Sequence, residues 1–126
     1  MVPFNKKLPA LQIIESKILN NETLDLQRKF WSFKNRTVVF TNGCFDLLHR
    51  GHIDYLAKAS DLGDELVVGI NSDASVKRLG KGKTRPLQDQ QTRALIIASL
   101  HFVSGVFIFD EDTPFELIKR ISPEVL

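Results

Sequence analysis

Thr37-Val38-Val39-Phe40-Thr41-Asn42-Gly43-Cys44-Phe45-Asp46-Leu47-Leu48-His49-Arg50-Gly51-His52 is the stretch that decides the fold. Its first five residues form a short β-branched and aromatic run, with the length and composition of a buried strand over 37–41. Asn42-Gly43 breaks the run, since both residues tolerate positive φ. Beyond Gly51, the apolar residues Ile53, Leu56, Ala57 and Ala59 recur at helical spacing. A strand therefore feeds a helix that opens at the two histidines. In an α/β sheet that junction binds phosphate, because free backbone N–H groups and the positive end of the helix dipole point at the ligand.

His49 and His52 are three residues apart, which puts both imidazoles on one face of a first helical turn. Gly51 between them adds no side chain and lets a ligand approach the backbone. Three readings suit this spacing. Two donors aimed at one spot fit the charge on a phosphoryl group under attack. Two solvated polar residues at a helix start fit as well. The third reading is a metal pair, which would need Asp46 or Asp54 to complete its shell.

Outward from this stretch the pattern alternates. Toward the C-terminus it predicts a helix over about 50–61 closed by Gly63, a strand over 66–70, and a short helix through Val76 and Leu79. A helix within 88–101 and a strand over 106–109 follow. Thr113-Pro114-Phe115-Glu116 reads as a capping box with proline at the first helical position, opening a helix to Ile121. Residues 124–126 read as the entry to a fourth strand. Toward the N-terminus, residues 1–36 read as a helical lead-in: a helix over about 9–20 ended by Asn20-Asn21, then a second helix capped by Thr23. Trp31 there is a packing residue or a base-stacking platform, and an apolar face on the 9–33 helices would suit a homodimer. The fold class is thus α/β, a Rossmann-like parallel sheet with helices on both faces, occupying 37–126. The polar clusters 42–52, 71–73 and 110–113 all follow strands, where such sheets bind ligands. Neither a P-loop nor a G-x-G-x-x-G fingerprint is present.

Bulk properties exclude several classes. The 126 residues are 43% hydrophobic and 25% charged, ordinary values for one globular domain. A net charge of +2 is too small to argue for nucleic acid as a general partner, and none is expected. There is no apolar run long enough to span a membrane and no secretory signal in residues 1–7. The single cysteine, Cys44, fits a reducing, cytoplasmic setting. Between residues 77 and 93 lie Lys77, Arg78, Lys81, Lys83, Arg85 and Arg93, with Asp89 the one acid. Gly80 and Gly82 loosen the centre. This is either a solvated loop or a lid whose cations close over a polyphosphate.

The string from Thr41 to His52 resembles the signature of the cytidylyltransferase-like nucleotidyltransferases, in which an H-x-G-H motif follows a strand and a G-x-F-D turn. Asn71-Ser72-Asp73, Arg85-Pro86, Gln91-Thr92-Arg93 and the run from Phe109 to Pro114 extend the resemblance. Together they are similar to one subgroup, the adenylyltransferase domain of ADP-heptose synthases. The resemblance implies transfer of AMP from ATP, with Mg²⁺, to D-glycero-β-D-manno-heptose 1-phosphate for surface-glycan assembly. It implies that His49 and His52 are catalytic. Thr41, Asn42, Gly43, Cys44, Phe45, Asp46 and Gly51 would bind the nucleotide, and Lys81, Lys83, Arg85 and Arg93 would meet phosphates. A resident metal site is not expected. Two alternatives stand beside it: a cytidylyltransferase for glycerol 3-phosphate or a similar alcohol phosphate, and a nucleotide-binding module without catalysis. The chain departs from the family pattern where Ser104-Gly105 follow Val103 in place of an acidic residue. The family's K-G-G-D and S-T-T segments would lie past Leu126, so a domain truncated at its C-terminal end is expected.

Overall fold

The three strands of the sheet run parallel in the order β1 (Val38–Gly43), β2 (Glu65–Asn71), β3 (Gly105–Phe109). The computed structural model describes residues 8–80 and 84–126. Val39 pairs with Leu66 and Thr41 with Val68, while Val68 pairs with Val106. Six helices accompany the strands among the described residues: α1 (Ala10–Ser16), α2 (Asn21–Phe33), α3 (Arg50–Ser60), α4 (Asp73–Arg78), α5 (Gln90–Ala98) and α6 (Phe115–Ile121).

Strand periodicity of two sorts the side chains into two cores. Val39, Leu66, Val68, Ile70 and Val106 face Leu56 of α3 and Ala94, Ile97 and Ala98 of α5. Val38, Phe40, Val67 and Phe109 face Leu24 and Trp31 of α2 and Leu117 and Ile121 of α6. The sheet is therefore covered on both faces, the arrangement in which parallel sheets occur. Trp31 is 5% exposed and belongs to the second core, so it is a packing residue and not a stacking platform. Burying a side chain of this kind contributes about 1.5–3 kcal/mol.

Several predicted boundaries shift, each for a local reason. The lead-in helix stops at Ser16, because Lys17–Leu19 runs along the outer edge of β3. Leu19 N–H donates to Val106 O and Val106 N–H to Lys17 O, both at 2.8 Å, so Ile18 pairs beside Val106. This covers a sheet edge whose backbone groups would otherwise be open. Gly105 makes the fit possible, since a Cβ there would lie 2.9 Å from Leu19 Cδ1. Ser104 fills the place of the expected acid and accepts from Leu66 N–H at 3.1 Å. On the other edge Val125 pairs beside Val39, in the position read as a strand entry.

The capping assignments also move. Asn20 caps α2, and Thr23 returns the bond to the Asn20 N–H, each at 2.8 Å. α3 ends on Asp61 in a right-handed conformation, not on Gly63. What Gly63 provides is space: a Cβ would stand 2.7 Å from Val39 Cγ2 and 2.9 Å from Thr37 O. α6 begins after Pro114 without a side-chain cap, so Thr113-Pro114-Phe115-Glu116 makes no capping box. β1 runs on through Asn42 and Gly43, which pair with Gly69 and Ile70, and the chain turns only at Cys44.

Candidate active site

The left-handed residue of the turn is Phe45, at φ 49°. A bulky side chain adopts that conformation only under constraint. The constraint is visible: the Phe45 ring lies over Gly43, where a Cβ would meet its Cε2 at 2.9 Å. The ring is 8% exposed and packs edge-on against His52 at 5.4 Å between centroids. Gly43 is thus small to seat Phe45, and Phe45 is bent to support His52.

α3 then opens on the histidines. His49 is its N-cap, and His49 Nδ1 accepts from Gly51 N–H at 3.0 Å. His52 Nδ1 faces back and accepts from His49 N–H at 3.3 Å. The two rings stack with centroids 3.9 Å apart and planes 24° apart. In a neutral imidazole one nitrogen donates and the other accepts. Since both Nδ1 atoms accept from the backbone, both Nε2 atoms carry the proton and are donors. Burial first, and then the neighbouring His49, push the His52 pKa down, so His52 is a neutral donor at neutral pH. Gly51 serves this arrangement, because a Cβ there would stand 2.9 Å from His49 Cε1.

These groups open onto a cleft of about 530 Å³ at the C-terminal end of β1. Cys44, Phe45, Asp46, His49, His52 and Arg85 line it. Arg85 comes from beyond β2, so residues far apart in sequence converge where parallel sheets bind ligands. Asn42 and Gly43 end β1 just before the cleft. Thr41 is not brought there: its hydroxyl lies 2.6 Å from that of Tyr55, beside a separate groove along β1. Lys81 and Lys83 lie outside the described residues.

Arg93 is the clearest correction. Its side chain is 0% exposed, and its guanidinium is engaged inside the protein. Nε donates to Gln88 O at 3.0 Å, Nη1 to Cys44 O and Asn71 O at 2.8 Å, and Nη2 to Asp73 Oδ1 at 2.8 Å. It therefore meets no phosphate. It fixes the turn after β1 to the turn after β2 and to the segment before α5. Asp73 N–H in turn donates to Gln90 Oε1 at 3.0 Å. Sequence reading missed the amides of Leu87 and Gln88, which hold Asp46, because backbone donors leave no residue-type signal.

Among the described residues no three His, Cys, Asp or Glu side chains come together as a metal shell. Asp46 is the one carboxylate among the described residues lining the cleft, and it is turned to Arg85 Nη1 at 2.8 Å. The described lining therefore offers a cation one carboxylate, already paired with Arg85. No described helix is long and apolar enough to cross a membrane.

A family model described as cytidylyltransferase-like matches residues 40–126. The bifunctional protein HldE of Wolinella succinogenes is 51% identical over 112 residues, covering 89% of this chain and 23% of that protein. The bifunctional protein HldE of Helicobacter hepaticus is 55% identical over 115 residues, 91% of this chain and 23% of that one. The chain spans about a quarter of the length of these curated relatives. Among solved structures, a lipopolysaccharide core biosynthesis protein from Thermoplasma volcanium aligns with a TM-score of 0.65 at 32% identity. That alignment covers 71% of this chain and 70% of the other.

Proposed function

The chain belongs to the cytidylyltransferase-like family and carries a nucleotidyltransferase domain, and from that premise we propose that it transfers AMP from ATP to D-glycero-β-D-manno-heptose 1-phosphate, giving ADP-heptose and pyrophosphate. The observation that carries the chemistry is the stacked histidine pair, with both Nδ1 atoms held by amides at the opening of α3. The choice of substrates rests on the 71–73, 85–86, 91–93 and 109–114 segments, which resemble the adenylyltransferase domain of ADP-heptose synthases.

The reaction is an in-line displacement at phosphorus. An oxygen of the sugar 1-phosphate attacks the α-phosphorus of ATP, a new P–O bond forms, and the bond to the β-phosphate breaks. Pyrophosphate leaves with that electron pair. Positioning and charge stabilisation carry such a reaction, with little covalent work for the protein. His49 and His52 donate from Nε2 to oxygens of the reacting phosphate, already oriented before substrate arrives. The start of α3 adds its dipole. Arg85 meets a phosphate at the cleft wall. Mg²⁺ would arrive with the substrate, carried on the triphosphate, and would neutralise charge on the leaving pyrophosphate. The reaction takes place in the cytoplasm, where ATP is supplied.

The test is pyrophosphate release from ATP, heptose 1-phosphate and Mg²⁺. It is measured on this chain and on a version carrying the additional length of its relatives. Release that depends on heptose 1-phosphate supports the assignment. Release with CTP and glycerol 3-phosphate instead would replace it with the cytidylyltransferase reading. ATP binding without release from either version would leave a nucleotide-binding module.

A further inference from the structure

Asp46 stands in the turn between Phe45 and the histidines, and its carboxylate is engaged by one distant segment. Arg85 Nη1 donates to Oδ2 at 2.8 Å. Leu87 N–H reaches Oδ1 at 2.9 Å and Oδ2 at 2.8 Å, and Gln88 N–H reaches Oδ1 at 3.0 Å. The donors lie 39 to 42 positions along the chain. The Asp46 side chain is 10% exposed, and that of Arg85 is 37% exposed. Burial works against the charge on Asp46, but Arg85 and the two amides outweigh it and hold the carboxyl below its usual range. A second strut joins the same two pieces of chain from inside, since Arg93 donates to Gln88 O and to Cys44 O. Arg85 has five N–H donors in a rigid fork, of which Asp46 takes one. Both residues line the cleft beside His49 and His52.

Resting on the nucleotidyltransferase reading, we infer that Asp46 is a positioning residue: it pins the 85–88 segment to the 44–46 turn and so presents the Arg85 guanidinium to a substrate phosphate lying over the histidine pair. Asp46 touches neither nucleotide nor metal in this role. It acts through Arg85, and the sign of its effect is diagnostic. A carboxylate near an anion site repels the anion, so plain electrostatics predicts tighter phosphate binding when the charge is removed. An anchor predicts the reverse. Without it, the ligand must itself order a long, rotamer-rich side chain, which weakens binding by roughly tenfold.

The experiment is calorimetric titration of inorganic pyrophosphate into the wild-type chain, Asp46→Asn, Arg85→Ala and the double variant. Each single change is expected to weaken binding about tenfold, and the double variant to bind no more weakly than the weaker single. Unchanged or tighter binding by Asp46→Asn overturns the inference, and so do two losses that multiply. If Asp46→Asn shows no cooperative unfolding transition, Asp46→Glu decides. It keeps the charge but displaces the carboxylate, so weaker binding is expected and native affinity is the overturning result. Absence of pyrophosphate binding by the wild-type chain also overturns it. Pyrophosphate release measured in parallel separates the two readings. Binding that follows the expected cycle, with no turnover by this chain or by the version carrying the additional length of its relatives, sinks the proposed activity and leaves the anchor standing.

Discussion

Replacing Arg93 by methionine keeps an unbranched side chain of similar length and removes the guanidinium. Four acceptors then lose their donor: the carbonyls of Gln88, Cys44 and Asn71, and the Asp73 carboxylate. Each neutral hydrogen bond contributes about 0.5–1.5 kcal/mol net, and one to a charged partner about 1.5–3 kcal/mol. Breaking a buried pair from one side costs about 3–5 kcal/mol where the remaining charge stays buried. Asp73 is 34% exposed and can recover water, which moves the expectation to the lower end. Methionine also avoids the cost of burying a cation. The balance is a loss of about 3 kcal/mol, or about 10 °C in Tm for a chain of this size. Urea unfolding followed by circular dichroism measures it. Arg93→Lys, with a point charge in place of the fork, is expected to fall between the two. A methionine variant within about 1 kcal/mol of wild type would refute the view that Arg93 braces the turns.

Three further outcomes are expected. Gly51→Ala should lower pyrophosphate release by about tenfold or more while stability holds or rises. The new methyl strikes the His49 ring, yet alanine favours a helix by about 1 kcal/mol over glycine; equal loss of both would place the fault in folding. His52→Ala should reduce turnover at least about 10²-fold, the scale of one transition-state donor, and a folded variant with retained turnover rejects that role. Nitrogen NMR of the imidazoles should show Nε2–H tautomers at both histidines and a His52 midpoint below the usual 6.5. Its folded pKa is depressed, so the unfolded chain binds the proton more readily. The His52 contribution to stability is therefore present above about 6.5 and is lost as pH falls through that value toward the folded pKa.

The strands were legible as short β-branched and apolar runs, such as Leu66–Ile70, and α3 was legible because Ile53, Leu56, Ala57 and Ala59 recur at helical spacing. The histidine pair was legible because its face depends only on local helical geometry. What was not legible depends on distance or depth. A basic residue carries no mark of burial, so Arg93 read like its neighbours in a cationic stretch, although it lies in the interior. The lead-in helix overran because nothing in Lys17-Ile18-Leu19 announces an open strand edge at Val106. Gly43 and Gly63 read as conformational breakers, whereas each is small because another side chain or carbonyl stands close by.

The reach of Arg93 has a consequence for how the site comes into being. Its contact with Cys44 closes 49 positions of chain, and that with Asn71 closes 22. Contacts of such separation close long loops, and each closure costs chain entropy before it returns any. The motif's turn is therefore braced from outside its own segment as well as from within it. A peptide spanning 37–60 would contain both histidines, Phe45 and Asp46, and would lack the internal brace that sets their spacing.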